Sequence, residues 1–339
     1  MIPAIFGVGG TALSDAERSF LKDVQPVGYI LFGRNCENRD QVRALTDSLR
    51  DLHGRDDLIV SIDQEGGRVQ RMKAPEWRAY PAGAAFDRLY EAAPASAMQA
   101  ARLNAEALAL DLAEGGINVN FHAPFDVRRE ETDDVIGDRA LGHDPMRVAA
   151  LGRAVLAGHA AAGVVGCLKH MPGHGRATAD SHKSLPVVTA SAEELEDDIA
   201  PFQALRDAPL GMTSHILFTS WDETRPATLS PTIINDIIRT KIGFTGLLLT
   251  DDIDMQALDG TVPERAERAI AAGCDVVLNC WAKLDDMEQM AERLPPLSDD
   301  GLMRLELALK GTGSTAQAGE ATELLAERDA LFEAAGVAV

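Results

Sequence analysis

The sequence predicts an α/β protein built as a single (β/α)8 (TIM) barrel, with extra helices after the third strand and at the C-terminus. Eight short apolar runs alternate with helix-periodic segments along the 339 residues. Several of those runs are continuously apolar, the pattern of strands covered on both faces. No linker or low-complexity stretch interrupts the alternation, so residues 1–339 read as one domain. An open doubly wound sheet is the competing architecture, and it requires a different strand count.

In chain order the strands are 4–8, 27–32, 58–63, 117–121, 164–169, 211–216, 246–250 and 275–279. The helices between them carry named start signals. Ser14-Asp15-Ala16-Glu17, Ser191-Ala192-Glu193-Glu194 and Thr261-Val262-Pro263-Glu264 have capping-box spacing. Asp144-Pro145 and Ser230-Pro231 set a cap residue directly before a proline. Gly163, Gly243 and Gly273 stand where helices should stop. The Ala-rich stretch 81–114 is long enough to hold an extra helix after strand three. From about Ala316 onward, 320–335 reads as a closing amphipathic helix.

Composition excludes several function classes. A net charge of −21 opposes binding to nucleic acid or to an anionic membrane. No run reaches the ~18 apolar residues of a membrane-crossing helix, and the acidic start at Asp15 and Glu17 does not suit a signal peptide. Cys36, Cys167, Cys274 and Cys280 are scattered, with no CxxC pair, which suits a reducing compartment. The expected location is the cytoplasm. A monomer is the expected state.

Chemistry-bearing residues gather just past the strand ends, where barrel enzymes build their sites. Strand three runs into Asp63-Gln64-Glu65-Gly66-Gly67-Arg68-Val69-Gln70-Arg71, and strand four into His122 and then Gly137-Asp138-Arg139. Strand five ends in Lys169-His170-Met171-Pro172-Gly173-His174-Gly175 and continues to Asp180-Ser181-His182; strands six and seven end in Ser214-His215 and Thr250-Asp251-Asp252. Carboxylates beside cations suit a polyhydroxylated substrate, since Asp accepts from hydroxyls while Lys and Arg donate. Asp251 is the candidate carboxylate beside an anomeric carbon; a helix cap or a salt bridge to a barrel arginine is its other reading. His182, with Asp180 two residues before it to orient the ring, is the candidate acid/base. A rival reading makes His170, His174 and His182 metal ligands, although Pro172-Gly173 breaks the helical spacing that a His-x-x-x-His pair would use.

Taken together and in order, these motifs closely resemble the bacterial β-N-acetylhexosaminidases of glycoside hydrolase family 3. Lys169-His170-x-Pro172-Gly173-His174-Gly175 with Asp180-Ser181-His182 is the most specific part. The resemblance implies removal of non-reducing terminal β-N-acetylglucosamine with retained configuration. It implies Asp251 as nucleophile, His182 as acid/base paired with Asp180, and Asp63, Arg71, Arg139, Lys169 and His170 as sugar-binding residues. It implies cytosolic muropeptides of cell-wall recycling as substrates, and no metal or organic cofactor. Met171 and Thr250 depart from the residues commonest in the family, and nothing after strand eight is long enough for a second domain. A glycosyl phosphorylase on the same scaffold and a non-catalytic sugar-binding protein are the alternatives.

Overall fold

The computed structural model describes residues 1–55, 57–122, 124–313 and 320–339. Eight parallel barrel strands follow one another: β1 (Ile2–Gly7), β2 (Pro26–Leu31), β3 (Ile59–Ile62), β4 (Val119–Asn120), β5, β6 (Leu210–Thr213), β7 (Leu247–Asp252) and β8 (Val276–Asn279). Strand β5 comes in two pieces, Val165–Gly166 and Leu168–Met171, divided at Cys167. The first piece pairs with β4 (Val119↔Val165) and the second with β6 (Leu168↔Gly211). Since β1 pairs with both β2 and β8, the ring closes through this divided strand.

Side-chain alternation sorts each strand into two faces. Ile5, Val27, Ile59, Val119, Val165, Cys167, Leu210, Leu247, Leu249, Val276 and Leu278 form one buried cluster inside the barrel. Their neighbours Val60, Leu168, Leu248 and Val277 belong to the larger cluster under the surrounding helices. Both faces are covered, which is why the runs are apolar throughout. Strand β4 is shorter than expected because asparagine side chains stand in for its ladder. Asn118 Oδ1 accepts from Val60 N (2.8 Å), and Asn120 Oδ1 accepts from Gln64 N (3.0 Å).

The helices are α1 (Asp15–Val24), α2 (Arg39–His53), α3 (Gly83–Ala92), α4 (Pro94–Glu114), α5 (Pro145–Ala161), α6 (Glu196–Ala204), α7 (Val262–Ala272), α8 (Leu284–Arg293), α9 (Asp299–Leu309) and α10 (Glu320–Ala334), with a π-helix at Ile233–Ile242 between α6 and α7. The expected extra helix in 81–114 is there, and Pro94 divides the stretch in two. Ser14 and Glu17 exchange bonds as a capping box, and Asp144 caps α5 through Arg147 N. At Ser191 the reciprocal bonds with Glu194 form, yet the regular helix begins only at Glu196. The closing helix α10 follows the expectation in place, with Ala316 outside the described residues. Its inner face is mixed and includes a buried arginine: Arg328 Nη1 donates to Asn104 Oδ1 of α4 (2.7 Å). Cys167, Cys274 and Cys280 are buried free thiols.

Candidate active site

The alternation that fills the barrel also aims the chemistry. Continuing the inward rows by one step, Ile59-x-Ser61 leads to Asp63, Val165-x-Cys167 to Lys169, and Leu247-x-Leu249 to Asp251. All three side chains line one cavity of about 250 Å3 at the C-terminal mouth, together with Arg71, Arg139, His170 and His182. Asp180 does not line it. Instead its Oδ1 accepts from His182 N (3.0 Å) and from His182 Nδ1 (2.8 Å), fixing the ring from behind.

Asp251 and Asp252 are adjacent but electrostatically unlike. Burial alone would push the Asp251 carboxyl up. The charge of His170 and the Asp252 N–H donated to Oδ1 (2.8 Å) outweigh it and bring the group down to about 2. Asp252 is pushed well above the usual carboxylate range by burial and by the neighbouring Asp254. Its Oδ1 shares the Cys280 N–H with Asp254 Oδ2 (3.2 and 3.1 Å). Of the pair, Asp251 is therefore the group ionised at neutral pH.

On the opposite wall lies a buried charge cluster. Glu65 grips Arg139 with both oxygens (2.8 Å each) and accepts from Lys169 Nζ at 2.7 Å. Lys169 also reaches Asp63 Oδ1 (3.3 Å), whose Oδ2 meets Arg71 (3.3 Å). Burial opposes ionisation of Glu65, yet Arg139 and Lys169 together hold it well below the usual glutamate range. Burial likewise opposes the Lys169 charge, which Glu65 and Asp63 restore. The cluster thus presents fixed, ionised donors and acceptors without an unpaired buried charge.

The imidazoles differ in their partners. His170 Nδ1 donates to Asp126 Oδ2 (2.8 Å), and the same carboxylate accepts from His174 N (2.7 Å). This leaves His170 Nε2 as the ring nitrogen open to a ligand. His174 is lowered to about 4 by burial and by the charge of His170, so it is neutral at pH 7. His215 is held low by burial, and its Nε2 bonds the Asp252 carbonyl (2.9 Å), bracing the end of β7. His122 is buried and held low, packed on His159 at 5.1 Å. Among the described residues, no group of three or more His, Cys, Asp or Glu side chains could hold a metal ion.

The loop bearing His182 is pinned on both sides. A Cβ at Gly175 would overlap the Val127 carbonyl oxygen, so glycine serves close approach here and not only turning. Downstream, Val187–Val188 pairs in parallel with Leu217–Phe218. Between these anchors Ser181 is buried, with its carbonyl accepting from Ala257 N (3.2 Å), while the His182 side chain stays 62% exposed at the cavity rim.

Sequence reasoning placed Glu65 and His215 in its strand-end motifs without giving either a role, and it did not name Asp126 or Asp254. A signal existed for Glu65, because the three cations Arg71, Arg139 and Lys169 need more than the one carboxylate of Asp63. Asp126, inside Pro124-Phe125-Asp126-Val127, carries no motif.

Residues 5–301 match the family description "Glycosyl hydrolase family 3 N terminal domain". The β-hexosaminidase of Bordetella avium is 37% identical over 305 residues, covering 88% of this chain and 86% of that protein. That of Chromobacterium violaceum is 37% identical over 309 residues, covering 90% and 85%. Among solved structures, NagZ from Neisseria gonorrhoeae in complex with N-trifluoroacetyl-D-glucosamine superposes with a TM-score of 0.86 at 30% identity, covering 98% of this chain and 97% of that one. With the barrel and the matched stretch in agreement, the chain belongs to glycosyl hydrolase family 3 and is a glycoside hydrolase.

Proposed function

We propose that the chain is a retaining exo-β-N-acetylglucosaminidase that works as a single barrel, without metal or organic cofactor. Asp251 is the nucleophile, His182 the acid/base and Asp180 its orienting partner. Asp63, Arg71, Arg139, Lys169 and His170 bind the terminal sugar. In the first step Asp251 bonds to the anomeric carbon while the glycosidic C–O bond breaks and the departing oxygen takes the His182 proton. In the second, neutral His182 takes a proton from water, whose oxygen attacks the anomeric carbon and releases the Asp251 carboxylate.

The observation that carries this reading is the pairing across one cavity. An inward carboxylate is held ionised on one side, and a histidine oriented by a carboxylate stands at the rim. The other carboxylates at the mouth are already engaged: Asp63 with Lys169 and Arg71, and Asp252 with the Cys280 N–H. The His182 side chain, 62% exposed, is left facing solvent at the mouth. The named relatives support N-acetylhexosamine as the terminal sugar. The proposed natural substrates are muropeptides of cell-wall recycling, met in the cytoplasm, where buried free thiols persist. Among the described residues no helix is long and apolar enough to cross a membrane.

The test is turnover of a chromogenic N-acetyl-β-D-glucosaminide beside the plain β-glucoside, followed by labelling with a fluorinated slow substrate. Preference for the acetamido sugar and a covalent adduct on Asp251 are expected. An adduct on another residue overturns the nucleophile assignment, and sugar 1-phosphate formed in phosphate buffer replaces the hydrolase by a phosphorylase.

A further inference from the structure

A second groove, of about 550 Å3, opens beside the cavity and shares His182, Asp252 and Met255 with it. Its lining adds Trp281, Lys283 and Gln256, none of which reaches the first cavity. We infer that this groove holds the leaving group, and that Trp281 is the platform on which a second sugar ring stacks. The inference rests on the proposed glycosidase reading and adds to it the residue that selects the leaving side.

The argument begins with direction. The group that protonates the departing oxygen must stand between the anomeric carbon and whatever departs. With Asp251 and the charge cluster on one side of His182, the leaving group belongs on the other. The second groove meets the cavity at His182 and is not lined by Asp251, and its volume is that of a small-molecule site.

Trp281 then stands out by its exposure. Trp77 is buried and Trp221 is partly buried against the core, whereas Trp281 is 61% exposed. Its backbone is held two residues past the end of β8, where the Trp281 N–H donates to Asp254 Oδ2 (3.3 Å). The Lys283 ammonium sits over the indole at 5.3 Å. A solvent-facing indole, with only two side-chain torsions to fix, offers a flat apolar surface to the C–H face of a sugar ring at little entropic cost. Exposed Gln256 and Lys283 supply hydrogen-bonding groups for ring hydroxyls.

Charge favours stacking over ion pairing as the main contact. Arg265 and Lys283 are offset along the groove by Asp254 and Asp286, and Arg265 Nη1 is spent on the Ile253 and Met255 carbonyls.

The experiment compares N,N′-diacetylchitobiose with methyl N-acetyl-β-D-glucosaminide, which has no second ring, in wild type, Trp281→Ala and Trp281→Phe. In Trp281→Ala the disaccharide-to-methyl ratio of kcat/KM should fall roughly ten-fold, with the change mainly in the disaccharide KM, while Trp281→Phe keeps most of the ratio. The wild-type ratio should change little with added salt. An unaltered ratio in Trp281→Ala overturns the inference and leaves the glycosidase reading standing. Failure of the wild type to cleave either compound removes that reading, and the groove's assignment with it.

Discussion

Replacing Glu65 by Gln keeps the shape of the side chain and deletes one charge from the centre of the site. In the native cluster Glu65 is 4% exposed and holds Arg139 and Lys169 at 2.7–2.8 Å. The variant leaves Lys169, itself 2% exposed, with Asp63 at 3.3 Å as its nearest carboxylate. Removing one member of a buried ion pair costs about 3–5 kcal/mol, because the other charge stays desolvated. For a chain of 339 residues that is a fall in Tm of roughly 4–7 °C. The sign with pH follows from the depressed carboxyl. Its stabilisation is complete above the ordinary value of 4.5 and fades as pH falls below it. The gap between wild type and Glu65→Gln should therefore be widest at neutral pH and narrow under acid. Differential scanning calorimetry from pH 3 to 8 measures it. In parallel, KM for an N-acetyl-β-D-glucosaminide should rise on the order of ten-fold, the value of a lost charged hydrogen bond. A variant that melts with the wild type at pH 7, or whose deficit grows as pH falls, refutes the reasoning.

Three further outcomes follow. His182→Ala should slow glycosides with poor leaving groups on the order of 10²-fold or more, and activated aryl glycosides far less; equal losses would remove the proton-donor role. Asp252→Asn should raise Tm at pH 7 by roughly 1–2 °C, the equivalent of about 1 kcal/mol. A raised folded pKa means the native state loses stability as pH climbs above 3.8, so the variant's advantage should vanish near pH 4. Asp126→Asn should lower kcat/KM by about ten-fold while activity on the remaining substrate range keeps its order, because it frees the His170 ring instead of removing a ligand; unchanged kinetics would show that the ring needs no such support.

Much of the barrel was legible because strands buried on both faces leave apolar runs, and helix starts leave cap residues such as Ser14 and Asp144. The division of β5 at Cys167 was not, since an apolar run looks the same whether its hydrogen bonds go left or right. Nor was the shortening of β4, which depends on where two asparagine side chains turn. For the site, the residues at the mouth could be named from strand endings, and seven of them line one cavity with Asp180 behind. The supports were harder. Asp126 acts through a contact 44 residues away in sequence, a distance no local pattern encodes. The contrast between Asp251 and Asp252 needed three-dimensional neighbours, because adjacent identical residues carry no intrinsic difference.

The inward rows that end in Asp63, Lys169 and Asp251 make this chemistry a matter of odd and even. One residue inserted within β7 would turn Thr250 toward the mouth and bury the acid among helices, however well the barrel still closed. Loops above the rim can lengthen or shrink freely by comparison. A lineage built on this frame can vary what it accepts far more readily than it can move the proposed nucleophile.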